Sequence, residues 1–81
     1  MAPKGDATAF LRGFGLAVRA RRTALGLSQE ELGFRADFDR TYISGIERGR
    51  RNPSLSALHR LAAALATSPS DLVRTAERKH A

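Results

Sequence analysis

No cysteine occurs anywhere in the 81 residues, so neither a disulfide nor a thiolate metal site is available to reinforce the fold, and the redox compartment stays open. Tryptophan is absent too, and aromatic residues make up only 6% of the chain. The core must therefore come from Leu, Ile, Val, Ala and four Phe, a composition that suits helices better than strands. No apolar run approaches the roughly 20 residues that span a bilayer, which argues against a membrane-spanning helix. The opening MAPKGDATAF is too polar for a secretion signal, and a cytoplasmic location is expected. Acidic residues are in the minority, eight against 14 Lys and Arg, for a formal net charge of +6. A surface of that sign attracts a polyanion, either nucleic acid or anionic lipid.

Catalytic signatures are missing as well. His59 and His80 stand far apart, neither in a ligand pattern, and there is no nucleophile motif or glycine-rich phosphate loop. The chain is expected not to be an enzyme and to need no metal, cofactor or small-molecule ligand. Its size allows one compact core at most, and a core that small is marginally stable alone, which favours self-association.

What is present reads as short helices separated by turns. Residues 1–8, with Pro3 and Gly5, are expected to form a flexible arm, 9–76 the single domain and 77–81 a tail. A first helix is predicted from about Thr8 to Leu25, with Phe10, Phe14 and Val18 one turn apart on one stripe and Gly26 as a left-handed stop. Gly13 and Gly15 each weaken this helix by roughly 1 kcal/mol relative to Ala, so its first two turns are expected to fray. Ser28 followed by Glu31 forms a capping box for a second helix, Gln29 to about Ala36. Asp37 to Asp39 make a tight turn, and Asp39 is placed as the N-cap of a third helix, Arg40 to about Arg48, that Gly49 ends. After the loop RRNPS, Ser54 caps a fourth helix to about Leu65, with Leu55, Leu58, Leu61, Ala62 and Leu65 as its buried face. Ser68-Pro69-Ser70-Asp71 opens a fifth. The fold class is all-α, with no strand.

Two short helices joined by a tight turn are the geometry of the helix-turn-helix, whose second helix reads DNA. At about 100° per residue, Arg40, Thr41, Ser44, Gly45 and Arg48 share one side of that helix, whereas Tyr42, Ile43 and Ile46 share the other. Residues 28–53 hold five basic and five acidic residues, so a DNA-facing positive surface there has to arise by sorting charges onto different faces. Arg40, in the first turn, has a guanidinium fork that fits guanine O6 and N7 in the major groove. Thr41 suits a thymine methyl or a phosphate, and Ser44 a base edge or backbone oxygen. Asp39 at the helix entry is counted with this DNA-binding set. Gly45 offers no side chain, so direct readout there is expected to be thin, with DNA shape carrying part of the specificity. Tyr42 combines a buried-side position with a hydroxyl that needs a partner, which suits a ring packed on the domain and a tip near a phosphate.

Over LGLSQEELGFRADFDRTYISGIERGRRNPSLSALHRLAAAL the chain resembles the phage-repressor and Cro-like helix-turn-helix family, and DRTYISGIERGRRNPSL is most similar to the controller proteins of restriction-modification systems. The resemblance extends from about Phe14 to Leu72. It implies a lambda-repressor-like domain of five helices, with residues 28–36 as the supporting helix and 40–48 as the recognition helix. It further implies that the Gln29 amide clamps the DNA backbone, that Arg48, Arg50, Arg51 and Asn52 contact phosphates, and that Arg22 and Glu47 form a structural salt bridge between the first and third helices. Gly33 and Phe34 stand where the family commonly has Ala or another small residue followed by a polar one.

The expected partner is double-stranded operator DNA, bound by a homodimer that regulates transcription of its own operon, with RNA polymerase as a further partner. Leu65, Leu72 and Val73 are the candidate dimer interface. An antitoxin or adaptor that uses the same fold to bind a protein is the alternative; residues 74–81 are short for a toxin-binding segment.

Overall fold

The computed structural model describes residues 7–80 and contains α1 (Thr8–Ala24), α2 (Gln29–Ala36), α3 (Arg40–Glu47), α4 (Leu55–Ala64) and α5 (Pro69–His80). No strand occurs among the described residues. Local chemistry accounts for most of the boundaries. Gly26 ends α1 in the left-handed region at φ 72°. The Ser28 hydroxyl accepts from the Glu31 N–H at 3.0 Å while the Glu31 carboxylate accepts from the Ser28 N–H at 2.8 Å, so two of the orphan donors of α2 are satisfied at once. The Ser28 N–H also holds the Glu31 carboxyl below its ordinary value. Ser54 and Ser68 cap α4 and α5 through bonds of 3.1 Å from the Ala57 and Asp71 N–H groups.

Hydrophobic faces of all five helices meet in one core. Val18, Leu32, Ile43, Leu61, Leu65 and Ala76 are completely buried in it, and Phe14, Leu72 and Ile46 nearly so. The longest helix, α1, lies along α5 and also packs on α3, while α2 is held between α3 and α4.

Several expectations are corrected by tertiary packing. The first two turns of α1 are helical from Thr8 onward. Gly15 serves the contact with α3: a Cβ there would stand 2.4 Å from the Ile46 carbonyl oxygen and 2.6 Å from that of Glu47. The absent side chain lets the two backbones touch, which offsets its cost to helix propensity. Leu55, expected in the buried face of α4, is 84% exposed. It stands in the first turn of α4, beyond the reach of the core, at the lip of an open groove of about 220 Å³ lined also by Phe10, Pro53, Leu58 and Val73. Asp39 occupies the N-cap of α3 with extended backbone, but its side chain makes no capping bond; its carboxylate stays exposed while its carbonyl accepts from the N–H groups of Tyr42 and Ile43. At the C-terminal end, α5 continues through His80, so residues 77–80 are its last turn rather than a separate tail. Of the expected N-terminal arm, residues 1–6 lie outside the described residues.

Candidate nucleic-acid interface

The supporting helix α2 and the helix α3 are joined by residues 37–39. The turn is tight because Asp37 adopts the left-handed conformation at φ 61°, which Asp tolerates better than most residues. Gly33 faces the turn so closely that a Cβ would lie 2.5 Å from the Phe38 carbonyl oxygen, which leaves no room for a side chain there. Phe34, beside it, is 88% exposed.

Two arginines that the motif reading did not single out hold the scaffold. Arg60 on α4 donates from Nε and Nη2 to the Ala36 carbonyl at 3.1 and 2.9 Å, capping α2, and its guanidinium lies 4.0 Å from the centre of the Phe38 ring. Arg21 donates to the carbonyls of Leu65 and Ala66 at 2.8 and 2.9 Å, closing the end of α4. Both act across long sequence separations, so only charge and length marked them in the sequence.

Behind α3 sits one buried polar cluster. The Glu47 carboxylate accepts from Arg22 Nε at 2.6 Å, Arg22 Nη2 at 2.9 Å and Gln29 Nε2 at 3.1 Å, while Arg22 Nη1 donates to the Leu27 carbonyl at 2.8 Å. The hydrogen bonds to Glu47 raise the Arg22 pKa against the opposing effect of burial. One cluster thus ties the end of α1, the start of α2 and the end of α3. No buried side-chain nitrogen or oxygen among the described residues lacks a partner.

On the opposite side of α3, Arg40, Thr41 and Arg48 are exposed and Ser44 is half-buried, while Ile43 and Ile46 are buried at 0% and 1% exposure. Arg50, Arg51 and Asn52 continue the exposed surface into the following loop. Ion pairs among the described residues are Arg22–Glu47, Arg60–Asp37 and Arg74–Asp71; none uses Arg40, Arg48, Arg50 or Arg51. Four exposed arginines on α3 and the loop after it thus carry no ion-pair partner among the described residues. Tyr42 is half-buried with its ring 4.5 Å from that of Phe38, and the Arg51 guanidinium lies 5.4 Å from the Tyr42 ring centre.

Two of the three residues expected at a dimer interface are not available for one. Leu65 is fully buried and Leu72 is 3% exposed, because both belong to the core that the helices share within the single chain. Val73 alone is partly exposed, in the wall of the groove beside Leu55. Among the described residues no group of three His, Cys, Asp or Glu is arranged to hold a metal ion, and no helix is long and apolar enough to cross a membrane.

Residues 18–72 match the helix-turn-helix family. Control protein C.BamHI of Bacillus amyloliquefaciens is 48% identical over 61 residues, which cover 74% of this chain and 75% of that protein. The crystal structure of the restriction-modification controller protein C.AhdI from Aeromonas hydrophila superposes with a TM-score of 0.75 at 50% identity, covering 76% of this chain and 94% of that one. The controller protein C.Esp1396I, solved as a tetramer in complex with its natural 35 base-pair operator, superposes with a TM-score of 0.78 at 30% identity over 88% of this chain and 93% of that one.

Proposed function

Because the chain belongs to the helix-turn-helix family of transcriptional regulators, we propose that it is a restriction-modification controller that binds an operator in its own operon as a homodimer. The observation that carries this reading is the solvent face of α3, where Arg40 is exposed and enters no ion pair among the described residues, exposed Thr41 and half-buried Ser44 lie on the same side, and three more arginines follow. Arg40 is assigned to guanine O6 and N7, with Thr41 and Ser44 at neighbouring base edges. The Asp39 carboxylate makes no capping bond and is assigned to a cytosine amino group, from which a carboxylate accepts. Gln29 has two amide N–H groups and gives one to Glu47; the other is assigned to a phosphate at the start of α2. The Tyr42 hydroxyl, Arg48, Arg50, Arg51 and Asn52 complete the backbone contacts. RNA polymerase is the further partner where the controller activates, and a cytoplasmic location follows from an operator on the cell's own DNA.

Selection of bound duplexes from a random-sequence pool, followed by gel-shift titration on the enriched site, tests the reading. A palindromic or near-palindromic site is expected, with half-sites about 34 Å apart. If Arg48, Arg50 and Arg51 of both protomers each neutralise a phosphate, log Kobs falls against log salt with a slope of about −5. Sequence-indifferent or salt-insensitive binding overturns the assignment.

The homodimer contact is assigned to the groove beside Leu55 in place of the buried Leu65 and Leu72. Each copy offers a projecting apolar side chain and, next to it, an apolar groove. A two-fold axis that seats each Leu55 in the partner's groove makes one patch self-complementary. Leu55→Lys is expected to yield a monomer in sedimentation equilibrium with unchanged helical content, since the side chain contributes little to its own core. A Leu55→Lys dimer as tight as the wild type rejects this face.

A further inference from the structure

Gly45 lies on the polar side of α3 with Thr41, Ser44 and Arg48, where a glycine ought to leave an open notch. Instead it is buried. The cover is the stem of Arg51: a Cβ built on Gly45 would stand 2.8 Å from Arg51 Cγ, 3.5 Å from Nε and 3.7 Å from Cδ. The Arg51 side chain therefore lies flat across the recognition helix, and its guanidinium ends over the Tyr42 ring. Tyr42 is braced by Phe38, and Phe38 by Arg60 on its own ring. The backbone helps, because the Arg50 N–H donates to the Gly45 carbonyl at 2.9 Å and brings the loop back over the helix.

We infer that Gly45 is a positioning residue whose missing side chain forms a shelf for Arg51, so that a loop arginine is delivered, already ordered, to the middle of the DNA-reading surface. This rests on the operator-binding reading and deepens it. An arginine in an exposed loop has many rotamers, and docking one on DNA costs the entropy of fixing them. With its stem packed on bare helix backbone and its fork stacked on an aromatic face, Arg51 meets the DNA with much of that freedom already lost. The surface over Gly45, which looks empty in sequence, is then occupied by a guanidinium from six residues further along the chain. Its chemistry suits an anionic phosphate oxygen at the groove edge, which a planar fork binds in two-pronged fashion.

The test uses the full chain and the duplex that the wild-type protein enriches from a random-sequence pool. Gly45→Ala restores a Cβ that Arg51 cannot avoid without leaving the shelf. Helical stability is expected to hold or rise, since Ala replaces Gly inside a helix, while affinity falls by about tenfold for a dimer that uses the arginine twice. In the Arg51→Ala background the same change is expected to cost nothing further. Arg51→Lys, which keeps the charge but loses the stacked fork, is expected to weaken binding as Gly45→Ala does. In the free protein, the side-chain NMR signals of Arg51 carry the ring-current shift of Tyr42 and lose it in Gly45→Ala. Wild-type affinity in Gly45→Ala or in Arg51→Lys, an equal loss with and without Arg51, or unmoved Arg51 signals would each overturn the shelf. A wild-type chain that enriches no sequence at all refutes the operator reading instead, and is told apart by that result.

Discussion

Glu47→Ala is expected to remove about 3 to 5 kcal/mol of folding free energy, enough to unfold most of a domain whose whole stability is of that order. The Glu47 side chain is 4% exposed and that of Arg22 12%, so neither group recovers its hydration when the other is removed. Loss of Glu47 leaves the Arg22 guanidinium with a single carbonyl partner, Leu27, and leaves the Gln29 amide without its acceptor. Arginine has no accessible neutral form through which to relieve the cost. Urea unfolding followed by circular dichroism measures the effect. Glu47→Gln, which keeps the shape and one acceptor, is expected to lose less. The double change Arg22→Met with Glu47→Leu is expected to regain most of the stability, because an apolar pair of similar volume avoids the desolvation that an ion pair must overcome. A Glu47→Ala protein within about 1 kcal/mol of the wild type would place this pair with ordinary surface ion pairs and remove the reason for its burial.

The contrast between this cluster and the corrected expectations shows which physical information a sequence carries. Capping is local chemistry: Ser28 and Glu31 are three residues apart, so the start of α2 was readable without any knowledge of its neighbours. The same holds for the left-handed stops at Gly26 and Gly49. The polar and apolar sides of α3 were likewise legible, since a 3.6-residue period is a property of one helix. Periodicity does not say which surface covers an apolar stripe. Leu65 and Leu72 therefore looked like residues with spare apolar area, whereas the shared core already encloses them, and Leu55, on the stripe by spacing, runs past the edge of the core. Glycine is ambiguous for a related reason. Propensity counts Gly15 as a weakness, but the value of a missing Cβ depends on what approaches from outside, here the backbone of α3. Gly45 is the same lesson on the solvent side, with a side chain in place of a backbone. Arg21 and Arg60 had no local mark at all, because their acceptors are carbonyls 44, 45, 23 and 24 residues distant.

Arg40→Ala is the substitution that separates reading a sequence from merely holding DNA. Arg40 is exposed and enters no ion pair among the described residues, so its removal is expected to leave thermal stability within about 0.5 kcal/mol of the wild type. On the enriched duplex a two-pronged contact to guanine is worth about 1 to 3 kcal/mol, and a symmetric dimer makes it twice. The expected loss is then about 2 to 6 kcal/mol, or from about 30-fold to about 20,000-fold in Kd. Affinity for random-sequence DNA should barely change, and the salt slope should stay where the phosphate contacts put it, since a base contact releases no counterion. Titrating the wild type and Arg40→Ala against duplexes with single base-pair changes locates the effect. Discrimination is expected to vanish at one guanine per half-site and to persist elsewhere. Arg50→Ala supplies the opposite signature: uniform weakening on every duplex and a shallower salt slope, by about 0.9 for each phosphate given up. If Arg40→Ala behaves like Arg50→Ala, the first turn of α3 grips the backbone, and the base-reading role passes to Thr41 and Ser44.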